Sequence, residues 1–303
     1  MKTLLITNSY DATSDLLVVG FPAEKIFRLN YDLLKNYEIR ITTDDIHISS
    51  EHHSIAQAEI AKVFWWKAFS ADQEDGAEVS AFDVAEYKYV LRELLNLSER
   101  ASCLVFNRPD AESRCGKLCQ VRLAKQYFTV PDTVLVSCRA PFAVGASRVV
   151  KSLASIPFND GNVLYTSDVS NTTLGAGHAW LTQHRIEASH DVTVVYVYGR
   201  VFGFSLDRQL FDGLDWRKSV FEMARRWEPY PLPQSSAAGI RSFMNELQWP
   251  FGRLDFLLTD SGLVFLEVNP NGQWAWLDAD QSNGLFAAMK DCIDPDLPLP
   301  KDP

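Results

Sequence analysis

Three residues near the C-terminal end of the chain, Asp255, Glu267 and Asn269, have the types and spacing to gather around a hard cation, and Arg253 shares their face. They flank Asp260-Ser261-Gly262, which reads as a three-residue hairpin loop with Gly262 in the left-handed conformation that closes a bulge. Such a loop pairs Thr259 with Leu263. Counting back along both strands then sets Asp255 opposite Glu267 and Arg253 opposite Asn269. Side chains alternate along a strand, so Leu254, Phe256, Leu258, Val264, Leu266 and Val268 make one apolar face and the four polar residues lie on the other. Carboxylates facing each other across strands have Cβ atoms about 5 Å apart and repel. A cation must lie between them, or one must stay protonated. Two carboxylates and an amide oxygen suit Mg²⁺, which keeps waters and takes phosphate oxygens as well. The solvated face of a surface hairpin shows the same residue types, so spacing alone leaves both readings open.

The elements that would position this hairpin fall into two styles. Residues 2–7, Ile26–Leu29, Ile39–Thr42, Val63–Phe69 and Cys103–Asn107 read as strands, and Val84–Leu97 carries its apolar residues at helical spacing. This alternation predicts an open α/β sheet in the N-terminal part. Asn107-Arg108-Pro109 and a helix from about Ser113 to Tyr127 suggest a boundary near residue 110. Val134–Val136 and Arg148–Leu153 follow as strands, with a turn at Gly161-Asn162 and a loop of small residues over Asn171–His178. Asp191–Phe204 reads as a hairpin turning at Gly199-Arg200, and Gln234–Leu247 as a helix. The C-terminal half is thus α+β in style, and the Pro-rich end reads as a loose tail. The boundaries predicted are 1–110, 111–180 and 181–303.

Composition narrows the function. Of the 303 residues, 47 % are apolar and 22 % charged, the balance of a globular protein. The formal net charge of −10, without a Lys/Arg-rich run, argues against a nucleic-acid partner. The opening apolar run is too short for a signal peptide, and no stretch of about 18 apolar residues occurs, so neither export nor a membrane span is expected. Five scattered cysteines read as free thiols of a reducing cytoplasm. His47, His52 and His53 sit among Ser49, Ser50 and Glu51 and read as a polar loop. Trp65 and Trp66 read as core and rim, Trp274 and Trp276 as the border of an acceptor site. No G-x-G-x-x-G follows the first strand and no G-x-S-x-G elbow is present.

The run Asp255-Phe-Leu-Leu-Thr-Asp-Ser-Gly-Leu-Val-Phe-Leu-Glu267-Val-Asn269-Pro-Asn-Gly-Gln-Trp274 resembles the metal-binding segment of ATP-grasp ligases. Its end, Asn-Pro-Asn-Gly-Gln-Trp, resembles the microviridin-type, or graspetide, ligases that mature ribosomally made peptides. Further pieces follow in the order of that subgroup: Phe27-Arg28-Leu29-Asn30, Phe64-Trp65-Trp66-Lys67, Phe106-Asn107-Arg108-Pro109, Val130-Pro131-Asp132-Thr133, Trp216-Arg217 and Trp227-Glu228-Pro229-Tyr230-Pro231-Leu232-Pro233. The resemblance implies an ATP-grasp fold behind an N-terminal pre-ATP-grasp domain. It also implies ATP with two Mg²⁺ ions, and carboxylates of a leader-bearing precursor peptide activated as acyl phosphates for ω-ester or ω-amide macrocycles. A homodimer is the usual arrangement. A ligase adding glutamate or another amino acid to a protein or small acid would use the same chemistry, and a nucleotide-binding homologue without turnover would share the fold.

Position by position, the resemblance gives Lys117 and Lys151 to the ATP phosphates and Gln183-His184-Arg185-Ile186 to adenine. It gives Glu187 or, as the better match, Asp191 to the ribose, Arg217 to the transferring phosphoryl group, and Asp255, Glu267 and Asn269 to the metal. The loop 171–178 would be a lid. One departure stands out: where the family usually has arginine two positions after the match to Asp191, this chain has Thr193. Arg253 replaces a residue that is commonly small, and it is expected to substitute partly for the missing arginine as a catalytic cation. The ATP-dependent rate of Arg253→Ala should therefore fall; an unchanged rate ends the idea.

Overall fold

The computed structural model describes residues 1–66, 81–101, 103–153 and 165–300. The chain divides into two compact units, one made of Met1–Glu112, Trp249–Phe251 and Pro270–Pro303, the other of Ser113–Gln248 and Gly252–Asn269. The sequence-based division of 181–303 as one piece does not anticipate that 249–251 and 270–303 join the N-terminal residues. Lys67, the end of the predicted strand Val63–Phe69, and the turn at Gly161-Asn162 lie outside the described residues.

In the first unit, strands β1 (Lys2–Thr7), β2 (Ile26–Asn30), β3 (Glu38–Ile41), β4 (Ile46–Ser49), β5 (Ser54–Ala56) and β6 (Ile60–Trp65) form two sheets. The first is parallel, in the order β2-β1-β6. β1 is its middle strand, which explains the near-continuous apolar run Leu4-Leu5-Ile6, all buried. The helix Ala81–Arg100 buries Leu91, Leu94 and Leu95 in the same core as Leu4, Ile6, Val63 and Trp65. Residues 103–107 make only a parallel bridge, Val63 to Leu104, instead of the expected strand. The other sheet is antiparallel, β3-β4-β5, and it corrects the polar-loop reading around His47. Ile46 and Ile48 are buried and alternate with His47 and Ser49, the period of a one-sided strand. A helix over Leu285–Ile293, not foreseen in the sequence, completes the unit. Asp278, fully buried, accepts from the Asn283 and Phe286 amides at 2.7 and 2.9 Å near its start. At its end the Ile293 carbonyl accepts from Thr3 Oγ1 at 2.6 Å and the Cys292 carbonyl from Lys62 Nζ at 2.7 Å. Trp274 packs edge-on to Phe286 at 4.7 Å and is fully buried, a core residue rather than a border of an acceptor site.

In the second unit, β7 (Thr133–Ser137), β8 (Phe142–Ala143), β9 (Arg148–Lys151), β10 (Ser167–Asp168), β11 (Thr173–Leu174) and β12 (Ala179–His184) precede β13 (His190–Val197), β14 (Arg200–Asp207), β15 (Glu228–Pro229), β16 (Phe251–Thr259) and β17 (Gly262–Asn269). They form a four-stranded sheet β10-β9-β12-β7, the small pair β11-β8, and a five-stranded sheet β15-β14-β13-β16-β17. The β13–β14 hairpin turns at Tyr198-Gly199, one residue earlier than predicted, with Arg200 already paired to Val197. Both turn residues have positive φ, 44° and 80°, as a two-residue turn matched to strand twist requires. The helices Lys117–Ala124 and Gln234–Leu247 belong to this unit. The first is tied to β17 by Gln120, whose Oε1 accepts from the Val268 amide at 3.1 Å.

The β16–β17 hairpin reaches the expected pairing by an unexpected route. Thr259 pairs with Gly262, φ 112°, and Leu258 with Leu263, a register one residue away from that of a Thr259–Leu263 pair. A bulge between Asp255 and Phe256 then restores it. Phe256 opposes Phe265, Asp255 opposes Glu267, Arg253 opposes Asn269, and Leu266 is the extra residue. The bulge exchanges two side chains relative to strict alternation. Phe265 enters the core, stacked on Phe128 at 5.8 Å and edge-on to Phe243 and Phe256 at 5.3 and 5.6 Å. Leu266, predicted for the core face, lines a cleft beside Glu267. Phe265→Ala should therefore cost about 3–5 kcal/mol in urea unfolding, and Leu266→Ala about 1 kcal/mol. Equal losses would contradict the bulge.

Candidate functional site

The cleft lies within the second unit, between the inner strands β9 and β12 of the four-stranded sheet and the β13-β16-β17 face of the five-stranded one, and encloses about 790 Å³ including its open mouth. One wall comes from β9 and the end of β12: Val149 and Lys151, then Gln183, His184, Arg185 and Ile186. The opposite wall comes from the hairpins: Asp191 and Val192, Arg253 with Asp255, Phe256 and Leu257, and Leu266 with Glu267. The segment 214–217 and Trp227 close the side. The His184 amide donates to Asp132 O at 2.8 Å and the Arg185 amide to Ser147 O at 2.8 Å, so this edge of backbone is already partly committed to protein partners.

The charged residues sort into pairs. Glu267 Oε2 lies 3.1 Å from Lys117 Nζ, whose other contact is the Ser152 carbonyl at 2.9 Å. Burial opposes ionisation of Glu267, but Lys117, Lys151 and Arg217 outweigh it and bring the carboxyl pKa down to about 2. Lys151 itself is pushed below the ordinary lysine range, first by burial and then by Lys117 and Arg217, against the pull of Glu267. Asp255 is held at both oxygens: Thr193 Oγ1 donates to Oδ1 at 2.8 Å and Arg253 Nη2 to Oδ2 at 3.1 Å. Arg217 makes a two-pronged pair with Asp215, both contacts 2.8 Å. Burial works against the charge on Arg217, yet those bonds raise its pKa further above the usual value. Burial is also the main influence on Asp191, lifting its carboxyl to about 6 despite Arg208 at 2.8 Å, with Asp255 and Asp215 adding repulsion.

Of the residues singled out in the sequence, Lys151, Gln183, His184, Arg185, Ile186, Asp191, Arg217, Arg253, Asp255 and Glu267 line this one cleft. Lys117 joins through its ion pair with Glu267. Asn269 stands beside Arg253 as its cross-strand partner, outside the lining. Glu187 is also outside it, an exposed side chain paired with Arg185 at 3.0 Å. Three participants were not foreseen: Arg208, Asp215 and the hydroxyl of Thr193. Asp215 had a legible signal, since it precedes Trp216-Arg217 and an acid two residues from an arginine can return to it. Arg208 had none, because its partner is fixed only when Asp191 and Leu206 pair across β13 and β14.

The donor set fits a hard divalent cation. Asp255 and Glu267 are cross-strand partners, Glu267 stays ionised to strongly acidic pH, and all donors are oxygens. Among the described residues no group of three or more His, Cys, Asp or Glu side chains comes together. Two carboxylates with phosphate and water completing the shell is the arrangement Mg²⁺ commonly adopts. Among the described residues no helix is long and apolar enough to cross a membrane, and all five cysteines are free.

The fold is that of the ATP-grasp ligases. A RiPP-associated ATP-grasp ligase from Chryseobacterium gregarium, in complex with ADP and a leader and core peptide, matches 99 % of this chain and 99 % of its own, with a TM-score of 0.79 and 20 % identity. The macrocyclase MdnC from Microcystis aeruginosa, bound with its precursor peptide MdnA, matches 96 % of this chain and 99 % of its own, with a TM-score of 0.75 and 19 % identity. A D-alanine–D-alanine ligase from Bacillus anthracis, complexed with ATP, is more remote at a TM-score of 0.53 and 12 % identity over 97 % of this chain and 96 % of its own. At these identities the likeness is one of fold. No protein-family model matches the sequence, and no curated protein matches it.

The depressed pKa of Glu267 has a sign that can be read in stability. A carboxyl at about 2 in the folded chain, against an ordinary 4.5, stabilises the fold above about 4.5, and that contribution is lost as pH falls towards 2. The wild-type advantage over Glu267→Gln in urea unfolding should be full at pH 6 and shrink as the pH is lowered from about 4.5. An advantage independent of pH would assign Glu267 a neutral role.

Proposed function

We propose that this chain is an ATP-dependent carboxylate ligase that activates Asp or Glu side chains of a ribosomal precursor peptide and closes ω-ester or ω-amide macrocycles. The observation that carries the proposal is the cleft of the second unit, where two facing carboxylates, Asp255 and Glu267, lie among Lys117, Lys151, Arg217 and Arg253. The ATP-grasp neighbours with bound precursor peptides, ADP or ATP support the peptide and the nucleotide as ligands of the same kind. The domain reading that accompanies it has a pre-ATP-grasp domain over 1–110, a central subdomain with a lid over 111–180, and the metal-bearing subdomain after 181. A homodimer in the cytoplasm and a leader segment that docks on the enzyme are part of the same proposal.

In this reading, adenine lies against Gln183-His184-Arg185-Ile186 and the ribose hydroxyls donate to Asp191. Lys117, Lys151 and Arg217 receive the phosphates, where positioning and charge stabilisation supply most of the catalysis of phosphoryl transfer. Asp255, Glu267 and Asn269 would hold Mg²⁺, which when bound offsets the negative charge of the nucleotide. The peptide carboxylate attacks the γ-phosphorus and releases ADP. A Ser/Thr hydroxyl or Lys amine then adds to the acyl phosphate, losing its proton as phosphate departs. Arg217, gripped by Asp215, is held in a fixed orientation towards the transferring group, and the loop 171–178 would keep water from the acyl phosphate.

Incubation with ATP, Mg²⁺ and a candidate precursor peptide should release ADP and phosphate and remove one water from the peptide for each bond formed, read by mass spectrometry. Arg217→Met should lower the rate roughly 10²–10³-fold. ADP release supported by free amino acids but by no peptide would move the assignment to an amino-acid ligase. Nucleotide binding with no ADP release under any condition would end the ligase reading.

A further inference from the structure

The two facing carboxylates each have their own side-chain cation. Arg253 Nη2 lies 3.1 Å from Asp255 Oδ2, and Lys117 Nζ lies 3.1 Å from Glu267 Oε2. The remaining oxygen of Asp255 is taken by Thr193 at 2.8 Å. These cations are largely buried, with side-chain exposures of 13 % for Arg253 and 18 % for Lys117. Repulsion between cross-strand acids, which otherwise invites a metal, is thus already answered from within the chain.

Counting charge makes the consequence plain. Lys117, Lys151 and Arg253 face Asp255 and Glu267, while Arg217 is matched by Asp215. A divalent ion entering alone would add to a centre whose two carboxylates are already matched by Lys117 and Arg253, in surroundings where charge is poorly screened. It would also compete with Arg253 for Oδ2. A polyphosphate entering with the ion reverses both terms, since its oxygens supply negative charge and give a displaced guanidinium and ammonium new partners.

We propose that Arg253 and Lys117 are exchangeable counter-ions, so that a divalent cation binds between Asp255 and Glu267 only together with a polyphosphate that accepts the two side chains in return. The idea rests on the nucleotide site proposed above and adds to it an order of binding and a role for Arg253 at the cation.

The test uses Mn²⁺ as the probe, followed by the electron paramagnetic resonance of the free ion, on the full chain with and without a non-hydrolysable ATP analogue, the Mn²⁺ held by the analogue alone being measured without protein and subtracted. Wild-type protein should bind Mn²⁺ weakly alone and at least about tenfold more tightly with the analogue, a tenfold change being the worth of one modest ion pair. Arg253→Met should raise the affinity for Mn²⁺ alone about tenfold and shrink the analogue's effect, and Arg253→Lys should keep the wild-type pattern. Arg253→Gln serves in place of Arg253→Met if that variant does not fold. Equal Mn²⁺ affinity with and without the analogue in wild type, or no gain in the neutral variant, overturns the proposal. Failure of the analogue to bind in calorimetry is a different result: it removes the nucleotide site, while a gain in Mn²⁺ affinity on neutralising residue 253 still upholds the counter-ion role.

Discussion

Two acidic side chains on adjacent strands cannot sit opposite each other unless positive charge is brought to them, and the second unit is organised around that requirement. Asp255 and Glu267 are cross-strand partners. Four basic side chains converge on them from four places: Lys117 from a helix, Lys151 from β9, Arg217 from the segment after β14, and Arg253 from β16 itself. A chain with a net charge of −10 thereby builds a locally cationic pocket, which a global charge count would not reveal. Asp215 has a complementary task. By fixing Arg217 with two hydrogen bonds it keeps a guanidinium ordered at the edge of the cleft and charged against the cost of burial.

The apolar half of the same hairpin secures this arrangement. Phe256 and Phe265 join Phe128 and Phe243 in a cluster of edge-on and stacked rings, which anchors the strands whose other face bears the carboxylates. Gly252 marks how closely the elements meet there: a Cβ at this position would come within 2.7 Å of Met244 and 2.9 Å of Val268. The bulge at Leu266 lets one strand serve both demands, turning Phe265 into the core while Leu266 and Glu267 stay together on the cleft side.

Much of this was legible in the sequence because local chemistry and global structure agree. The pairing of Asp255 with Glu267 followed from turn chemistry and strand period, and the helix Gln234–Leu247 was read to its ends. The register nevertheless arrives through two compensating departures, a tighter turn and a bulge, and no residue type announces a bulge in an otherwise apolar Val-Phe-Leu run. The strand at Ile46–Ser49 was hidden by the histidines and serines that decorate its exposed side, although the Ile46/Ile48 alternation carried the signal. The partners of Asp191 and Asp255 were not legible, since Arg208 and Thr193 reach them only after two hairpins have paired. Trp274 shows the opposite limit: its nearness in sequence to the metal-type residues suggested a role at the surface, and the helix Leu285–Ile293 claims it for the core.

That terminal helix also sets a timetable. The first unit is not contiguous in the chain, and the side chains of Thr3 and Lys62, in strands made early, donate to the carbonyls of Ile293 and Cys292 in this later helix. A ribosome makes those carbonyls 290 and 230 residues after the side chains that bond them. The earlier strands must therefore wait, with a buried-type lysine still hydrated, until that helix has emerged. Cutting the chain at residue 112 would leave the first unit unfinished, because residues 249–251 and 270–303, which complete it, would stay with the other fragment.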